Sequence, residues 1–578
     1  MARIAALLIL ITTVILVEPA AAQRVLLLHD ASVALETEEG QVVSWTRDIL
    51  GHFDVAITEV AMDDYRPQLI HEHDAAIYVG LWESASLPET FLEDCYDSNH
   101  PFCWVGANLN ELAERFSLGR YGFHIANPPP QAGPTKVVYR GMPYWREQTP
   151  LPLIVITRPR ACETLAVIGQ GDPKQPYAVR SHNFWYFPEP PSPSSGKAGT
   201  DLIFCDQLHA FLGQAHDVAR TALLLISNVT PASDAGRLSS LIRYLLNEGA
   251  PFAIEVTPLN PTDQPDQYHR LSQKRGLVSV LRGAQRNGTA IVAVPPYSGD
   301  LALHTTAEAT TEQSLSSLPP VDAISLALEE MTRCGLYPLA WSLDSRGHDI
   351  QEQHRLATIC STLIEHRSDS EGGPKTRSVP FIVTRTEHNQ HLLPDNMPTL
   401  REGRGETEAI LEVARSHTTV PDPWVTARIG LDAPTDAVGL LVNGFRNTEY
   451  GFLDLRHMAN WTKTDSLLIR TLSSDQRLTD ILPRGWEAQV IGPAAGAKRT
   501  IERAAAKSED DIVHPGAILI SYPPDRAPDI VFSFEGDIQQ IVQRGVSWLA
   551  HTIVILAAGA AMLLFLLYIV QVAQRRGA

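Results

Sequence analysis

The chain has 578 residues, 44% of them hydrophobic and 20% charged, which excludes disorder along most of its length and leaves material for several cores. With 47 Lys plus Arg against 66 Asp plus Glu, its formal charge of -19 repels phosphate backbones, and no basic stripe offsets it. Nucleic-acid partners are excluded on that ground.

The first 22 residues carry a positive Arg3, an apolar run from Ile4 to Val17, a break at Pro19 and three alanines, Ala20 to Ala22. That order predicts a secretory signal peptide, with the mature chain starting near Gln23. Arg24 to His29 then reads as a buried strand, followed by Val42, Trp45 and Ile49 at helical spacing. Phe53 to Val60, Ala75 to Leu81 and Phe102 to Gly106 are further short apolar strands, so residues 23–127 read as a doubly wound α/β domain with a parallel sheet. His29 and Asp30 close its first strand, where such sheets carry ligands, although a structural terminus is the plainer reading.

Residues 128–200 read as a small β-rich connector and linker. Its strand signals are Lys136 to Arg140, Leu151 to Thr157 and Tyr177 to Phe187, and it ends in the Pro- and Ser-rich stretch from Pro188. From Asp201 to about residue 475 strand and helix alternate again. Leu223 to Val229, Pro251 to Val256 and Ile291 to Val294 are the strands; Leu238, Leu241, Ile242, Leu245 and Leu246 share one helix face, and Leu277, Val280, Leu281 and Ala284 another. The series predicts a β/α barrel or open sheet with its chemistry at the strand ends, and adds strands at Phe381 to Val383 and Val438 to Val442. Residues 476–547 read as a juxtamembrane region.

Near the other end, no Asp, Glu, Lys or Arg stands between Arg544 and Arg575. Residues 548–572 are therefore expected to form a transmembrane helix, and Arg575 and Arg576 place the tail 573–578 in the cytoplasm. The body is then expected outside the cytoplasm, on the periplasmic side of the inner membrane, held by a single pass. In that setting the six cysteines read as disulfide partners, with Cys95 and Cys103 expected to close a short loop.

Several stretches in this order resemble the polysaccharide-deacetylase-like family of unknown function that accompanies bacterial exopolysaccharide genes. They are WVGANLNEL at Trp104 to Leu112, Tyr177 to Phe187, LIFCDQLHAFL at Leu202 to Leu212, LLISNVTP, PFAIEVTPLN at Pro251 to Asn260 and FIVTRTEHNQHLLPDN at Phe381 to Asn396. The resemblance spans Val25 to Arg470. It implies a distorted β/α barrel of the deacetylase kind behind an amidotransferase-like domain. Intact members hold a divalent metal with two histidines and an Asp, and a second Asp takes a proton from the bound water. In this chain the Asp pair falls on Ser227 and Asn228, and the histidine motif on Pro295, Pro296, Tyr297, Ser298 and Gly299; a later His-Pro falls on Asn443 and Gly444.

No catalytic residue, metal or cofactor is expected on this reading, because proline and glycine offer no ligand atoms. Glu255 should face the interior near Asn228, either binding polar ligand groups or paired internally. Ser227, Asn228, Glu255, Pro295, Tyr297, Ser298 and Asn443 are the candidate residues of a degenerate, glycan-binding site, with Trp185 and Trp341 as aromatic candidates. His71 and His73, and the group Glu387, His388 and His391, read as solvated loop residues. The expected function is binding or scaffolding in envelope or exopolysaccharide biosynthesis or export, with polysaccharide or a synthase or export complex as partner. The alternatives are an active carbohydrate esterase with an atypical site, and an interaction domain whose cleft is filled.

Overall fold

The computed structural model describes residues 22–523 apart from 31–37, 83–85, 127–135, 147–149, 170–174, 192–197, 217, 262–267, 297–319, 344–349, 366–378, 386–389, 475, 478–480, 482–485, 492–500 and 505–511. The first half is built on one sheet. Strands β1 (Gln23–His29), β2 (Val55–Ala61), β3 (Ala75–Gly80) and β4 (Phe102–Gly106) run parallel in the order β2-β1-β3-β4. Strands β5 (Phe123–Ala126) and β8 (Leu153–Ile156) form a separate pair. The same main sheet continues through β11 (Phe184–Phe187), β10 (Gln175–Ser181), β9 (Glu163–Ile168), β6 (Lys136–Tyr139) and β7 (Met142–Trp145). Because β11 pairs with β4 in parallel, the segment expected as a connector extends the first sheet.

Side-chain alternation divides this sheet between two cores. Val25, Leu27, Ile77, Val79, Cys103, Val105, Trp185 and Phe187 pack on the face covered by α1 (Glu38–Leu50), whose Val42, Trp45 and Ile49 are buried. Leu26, Leu28, Tyr78, Phe102, Trp104, Phe184 and Tyr186 pack on the other, against α2 (Glu89–Asp97) and α3 (Leu109–Arg115). The next helix, α4 (Asp201–Leu212), is buried nearly all round, as a helix is when it passes between two layers. Its Leu202, Ile203, Phe204 and Leu208 join the α1 side of the first sheet to the core of the second half.

That second half is a rolled parallel sheet. Its strands are β12 (Thr221–Val229), β13 (Ala253–Val256), β16 (Ala290–Ala293), β17 (Ala340–Leu343), β18 (Thr362–Glu365), β20 (Gln390–Leu393) and β21 (Trp424–Ile429). They lie in the order β20-β18-β17-β16-β13-β12-β21, with β19 (Val383–Arg385) antiparallel on β20 and β22 (Gly451–Phe452) on β12. A short hairpin, β14 (Leu259–Pro261) with β15 (Tyr268–Arg270), follows β13. The intervening helices are α5 (Ala235–Glu248), α6 (Arg275–Arg286), α7 (Pro320–Arg333), α8 (Ile350–Ile359), α9 (Arg404–His417) and α10 (Thr435–Asn447). On α5, Leu238, Leu241, Ile242 and Leu245 are buried, Asp234 caps the start by accepting from Arg237 N at 2.7 Å, and Gly249 ends it at φ 64°. Leu246, expected on the buried face, is exposed.

In a flat sheet β21 and β17, four strands apart, would be separated by about 19 Å. Yet Arg428 Nη2 lies 3.2 Å from Ser342 Oγ, so the sheet must be rolled. No ladder joins β20 to β21 among the described residues. The seam is bridged by Asn396, which donates to Trp424 O at 2.7 Å and accepts from Thr426 N at 3.1 Å, and by Leu400, whose N and O bond Arg428 O and Gly430 N. This is a half-barrel sheet whose seam is held by the Asn396 side chain and a single backbone bridge at Leu400, and the expected β/α barrel is corrected accordingly.

After it comes a small antiparallel sheet of β23 (Trp461–Lys463), β24 (Leu468–Thr471), β29 (Ile518–Tyr522), β26 (Glu487–Ile491) and β27 (Ile501–Ala504), in that order, with β25 (Gln476–Arg477) paired to β28 (Ile512–Val513) beside it.

Three expectations are corrected. The fold is mixed α/β with no membrane-spanning helix among the described residues: none is long and apolar enough to cross a bilayer. The longest described helices have 14 residues, about 21 Å against a hydrocarbon core of roughly 30 Å. Residues 548–572, on which the expectation rested, and the signal-like residues 1–21 lie outside the described residues. Val438 to Val442 is part of helix α10, because Ala437, Val438, Leu441, Val442 and Phe445 are buried at helical spacing. Cys95 and Cys103 are free and buried. Cys95, on α2, packs on one face of the first sheet and Cys103, on β4, on the other, so their sulfurs cannot meet.

Candidate functional site

The carboxyl ends of the rolled strands hold four of the residues singled out in sequence, Ser227, Asn228, Glu255 and Pro295. Ser227 and Asn228 end β12, where the register with β13 shifts between Ile226 and Val229. The irregularity puts Asn228 in the left-handed region at φ 59°, a conformation Asn tolerates better than most residues, and turns its side chain to solvent. Ser227 is buried and its Oγ lies 3.5 Å from Ile429 O. Pro295 is buried just past β16. Tyr297, Ser298 and Gly299 lie outside the described residues. Asn443 is not at a strand end: it is exposed on helix α10, 3.5 Å from Arg446 Nη1.

Glu255 faces the interior from β13, and its partner is Arg428 on β21. Arg428 Nη1 donates to Glu255 Oε2 at 2.5 Å, its Nε donates to Asp395 Oδ2 at 2.8 Å, and its Nη2 donates to Ser342 Oγ. Asn228 N also reaches Glu255 Oε2, at 3.3 Å. Arg428, Glu255, Asp395 and Ser342 are all buried. Burial alone would lower the Arg428 pKa, but the charges of Asp395 and Glu255 outweigh it and raise it, so the guanidinium is a permanent cation. Of the two roles open to Glu255, internal pairing is the one the geometry realises.

Sequence reasoning missed Arg428, Asp395 and Ser342. The signal was there for one of them: an arginine inside the apolar run Trp424 to Ile429 has to find acids if that run is a buried strand.

The other candidates are structural. Asp30 accepts from Tyr78 OH, Leu81 N and Trp82 N, which fixes the end of β1. His73 bonds Leu69 O, His71 sits 3.8 Å from Asp94, and His391 faces Thr384 Oγ1 with its pKa lowered by burial. Glu387 and His388 lie outside the described residues. Trp341 is fully buried with Nε1 on Thr462 Oγ1, and Trp185 packs on Phe211 and beneath Arg180, so neither presents a face to a sugar.

Among the described residues one group has a metal-compatible donor set, and it lies away from these strand ends: His52, His209, His216 and Asp422. Burial would raise the Asp422 carboxyl, but the three histidines around it prevail and hold it well below the carboxylate range. Burial, then the His52 charge, lowers His216.

Compared with known proteins, the chain matches no protein-family model and no curated protein.

Proposed function

We propose that this protein is a deacetylase-like pseudoenzyme that binds or scaffolds in the extracytoplasmic assembly or export of an envelope polysaccharide, without a hydrolytic step of its own. The observation that carries the reading is Arg428 seated between Glu255 and Asp395 at the strand ends. Deacetylation there calls for a divalent cation with an open position on which water loses a proton. A guanidinium supplies the charge but no open position and no water activation. Pro295 adds to the argument, since it brings no ligand to the histidine position.

The test uses the purified chain with acetylated hexosamine polymers and added zinc, cobalt or nickel, reading released acetate. No release above the blank is expected. Chelator-sensitive release that is lost in Asp395→Asn would overturn the reading in favour of an active esterase.

A further inference from the structure

Four side chains converge where the two halves of the molecule meet. His52 follows α1 of the first sheet, His209 sits in the last turn of α4, His216 follows that helix, and Asp422 precedes β21 of the rolled sheet. One ligand atom from each lies within 4.8 Å of every other. Asp422 is the hub: its Oδ2 is 3.0 Å from His52 Nε2 and 3.0 Å from His216 Nδ1, and its Oδ1 is 3.4 Å from His209 Nε2.

The far side of two rings decides what the near side offers. His52 Nδ1 lies 2.8 Å from Ile382 O and His209 Nδ1 lies 3.2 Å from Cys205 O; a carbonyl only accepts, so both Nδ1 atoms carry the proton. Each ring thereby turns Nε2, the atom that ligates a metal once it has lost its proton, toward Asp422 and toward the other ring. His216 Nδ1, 2.8 Å from His52 Nε2, has one hydrogen to give in this direction. His209 Nε2 and Asp422 Oδ1 are buried with no hydrogen-bond partner, and His209 is only 7% exposed. Buried polar atoms left without a partner call for a charge or donor between them, and a cation held by all four side chains supplies it. Backbone carbonyls orienting the distal nitrogens of histidines is the outer shell that metal sites use, and Phe53 and Phe381, packed on these rings, supply an apolar wall.

We propose that His52, His209, His216 and Asp422 bind a divalent transition metal of the zinc type, which staples the first sheet, helix α4 and the rolled sheet together. Three imidazoles and a carboxylate without sulfur are a zinc donor set, and four protein ligands close the coordination sphere, as in a structural site. Tetrahedral zinc asks for about 3.3 Å between ligand atoms, within reach of small side-chain rotations from the spacing observed. These residues are separate from the deacetylase-like strand ends, where no metal is expected.

The test is metal analysis of the purified chain, with thermal unfolding before and after chelation. The expected result is about one zinc ion per chain, a fall in Tm of about 5 °C on chelation, and its recovery with added zinc. Cobalt supplied to the chelated chain should give the intense visible bands of a tetrahedral site. His209→Gln and Asp422→Asn should each abolish both signals, with folding checked by circular dichroism. Should either variant fail to fold, His216→Gln, on the more exposed ring, serves in its place. A wild-type chain that takes up neither zinc nor cobalt, keeping its histidines paired to Asp422 by protons alone, overturns the proposal. So do folded variants that keep the ion.

Discussion

Arg428 on β21 donates to Glu255 on β13 across the inside of the rolled sheet, at 2.5 Å and out of contact with solvent. The pair spans β12, which lies between their strands in the sheet, and Asp395 holds the same guanidinium from beyond β20. One side chain thus ties strands from both sides of the seam, where no ladder joins β20 to β21 among the described residues and the backbone bridge is at Leu400. The cluster that fills the candidate cleft is also what closes it.

Removing the cation should therefore be costly. Arg428→Met leaves two buried carboxylates facing each other, and a loss of roughly 3–5 kcal/mol is expected in urea unfolding. Glu255→Ala should destabilise as well, because it leaves the buried Arg428 guanidinium short of one of its two acids. The triple change Arg428→Met, Glu255→Gln, Asp395→Asn should recover much of the loss. An Arg428→Met chain within about 1 kcal/mol of wild type would sink this account.

The mouth should tolerate change where the interior does not. Asn228 is exposed and left-handed, so Asn228→Gly is expected to stay within about 0.5 kcal/mol of wild type, while Asn228→Val should cost about 1–2 kcal/mol from backbone strain alone. If the valine variant matches the glycine variant in stability, the left-handed conformation is not held as described.

Non-reducing peptide mapping should recover the Cys95 and Cys103 peptides apart. Burial pushes both thiols up, and the thiols at Cys162, Cys334 and Cys360 are raised to about 11, about 12 and about 12. Few thiolates then exist at neutral pH, and native labelling should be slow at all of them. A peptide linking Cys95 to Cys103 would contradict the placement of the two residues on opposite faces of the first sheet.

The strands and most helices were legible because burial imposes a period. Arg24 to His29, Ala75 to Leu81 and the α5 leucines each follow one. The error at Val438 to Val442 came from reading four apolar residues without their neighbours: Ala437 and Phe445 restore the helical spacing. The histidine cluster was not legible, since His52 and Asp422 are 370 positions apart and only the docking of one sheet on the other brings them together. His209 and His216 hinted at it, but two histidines with six residues between them are no motif. The seam at Asn396 was hidden for a related reason, because a side chain replaces the backbone ladder there.

His417 gives the pH dependence a definite sign. It ends α9, is 3% exposed, and burial lowers its pKa from 6.5 to about 4, with only a backbone hydrogen bond at Trp424 acting the other way. The unfolded chain takes up a proton near pH 6.5 while the folded chain resists until about pH 4. Between those values the unfolded state holds more protons, so stability falls as the pH falls. From pH 6.5 to pH 5 this one residue should remove roughly 2 kcal/mol. Carboxylates and the other histidines titrate as well, so the comparison is made against His417→Gln at each pH in urea. The advantage of wild type over the variant should shrink by about that amount on going to pH 5. A difference that stays constant across the interval would mean that His417 is charged, or free to charge, in the folded protein.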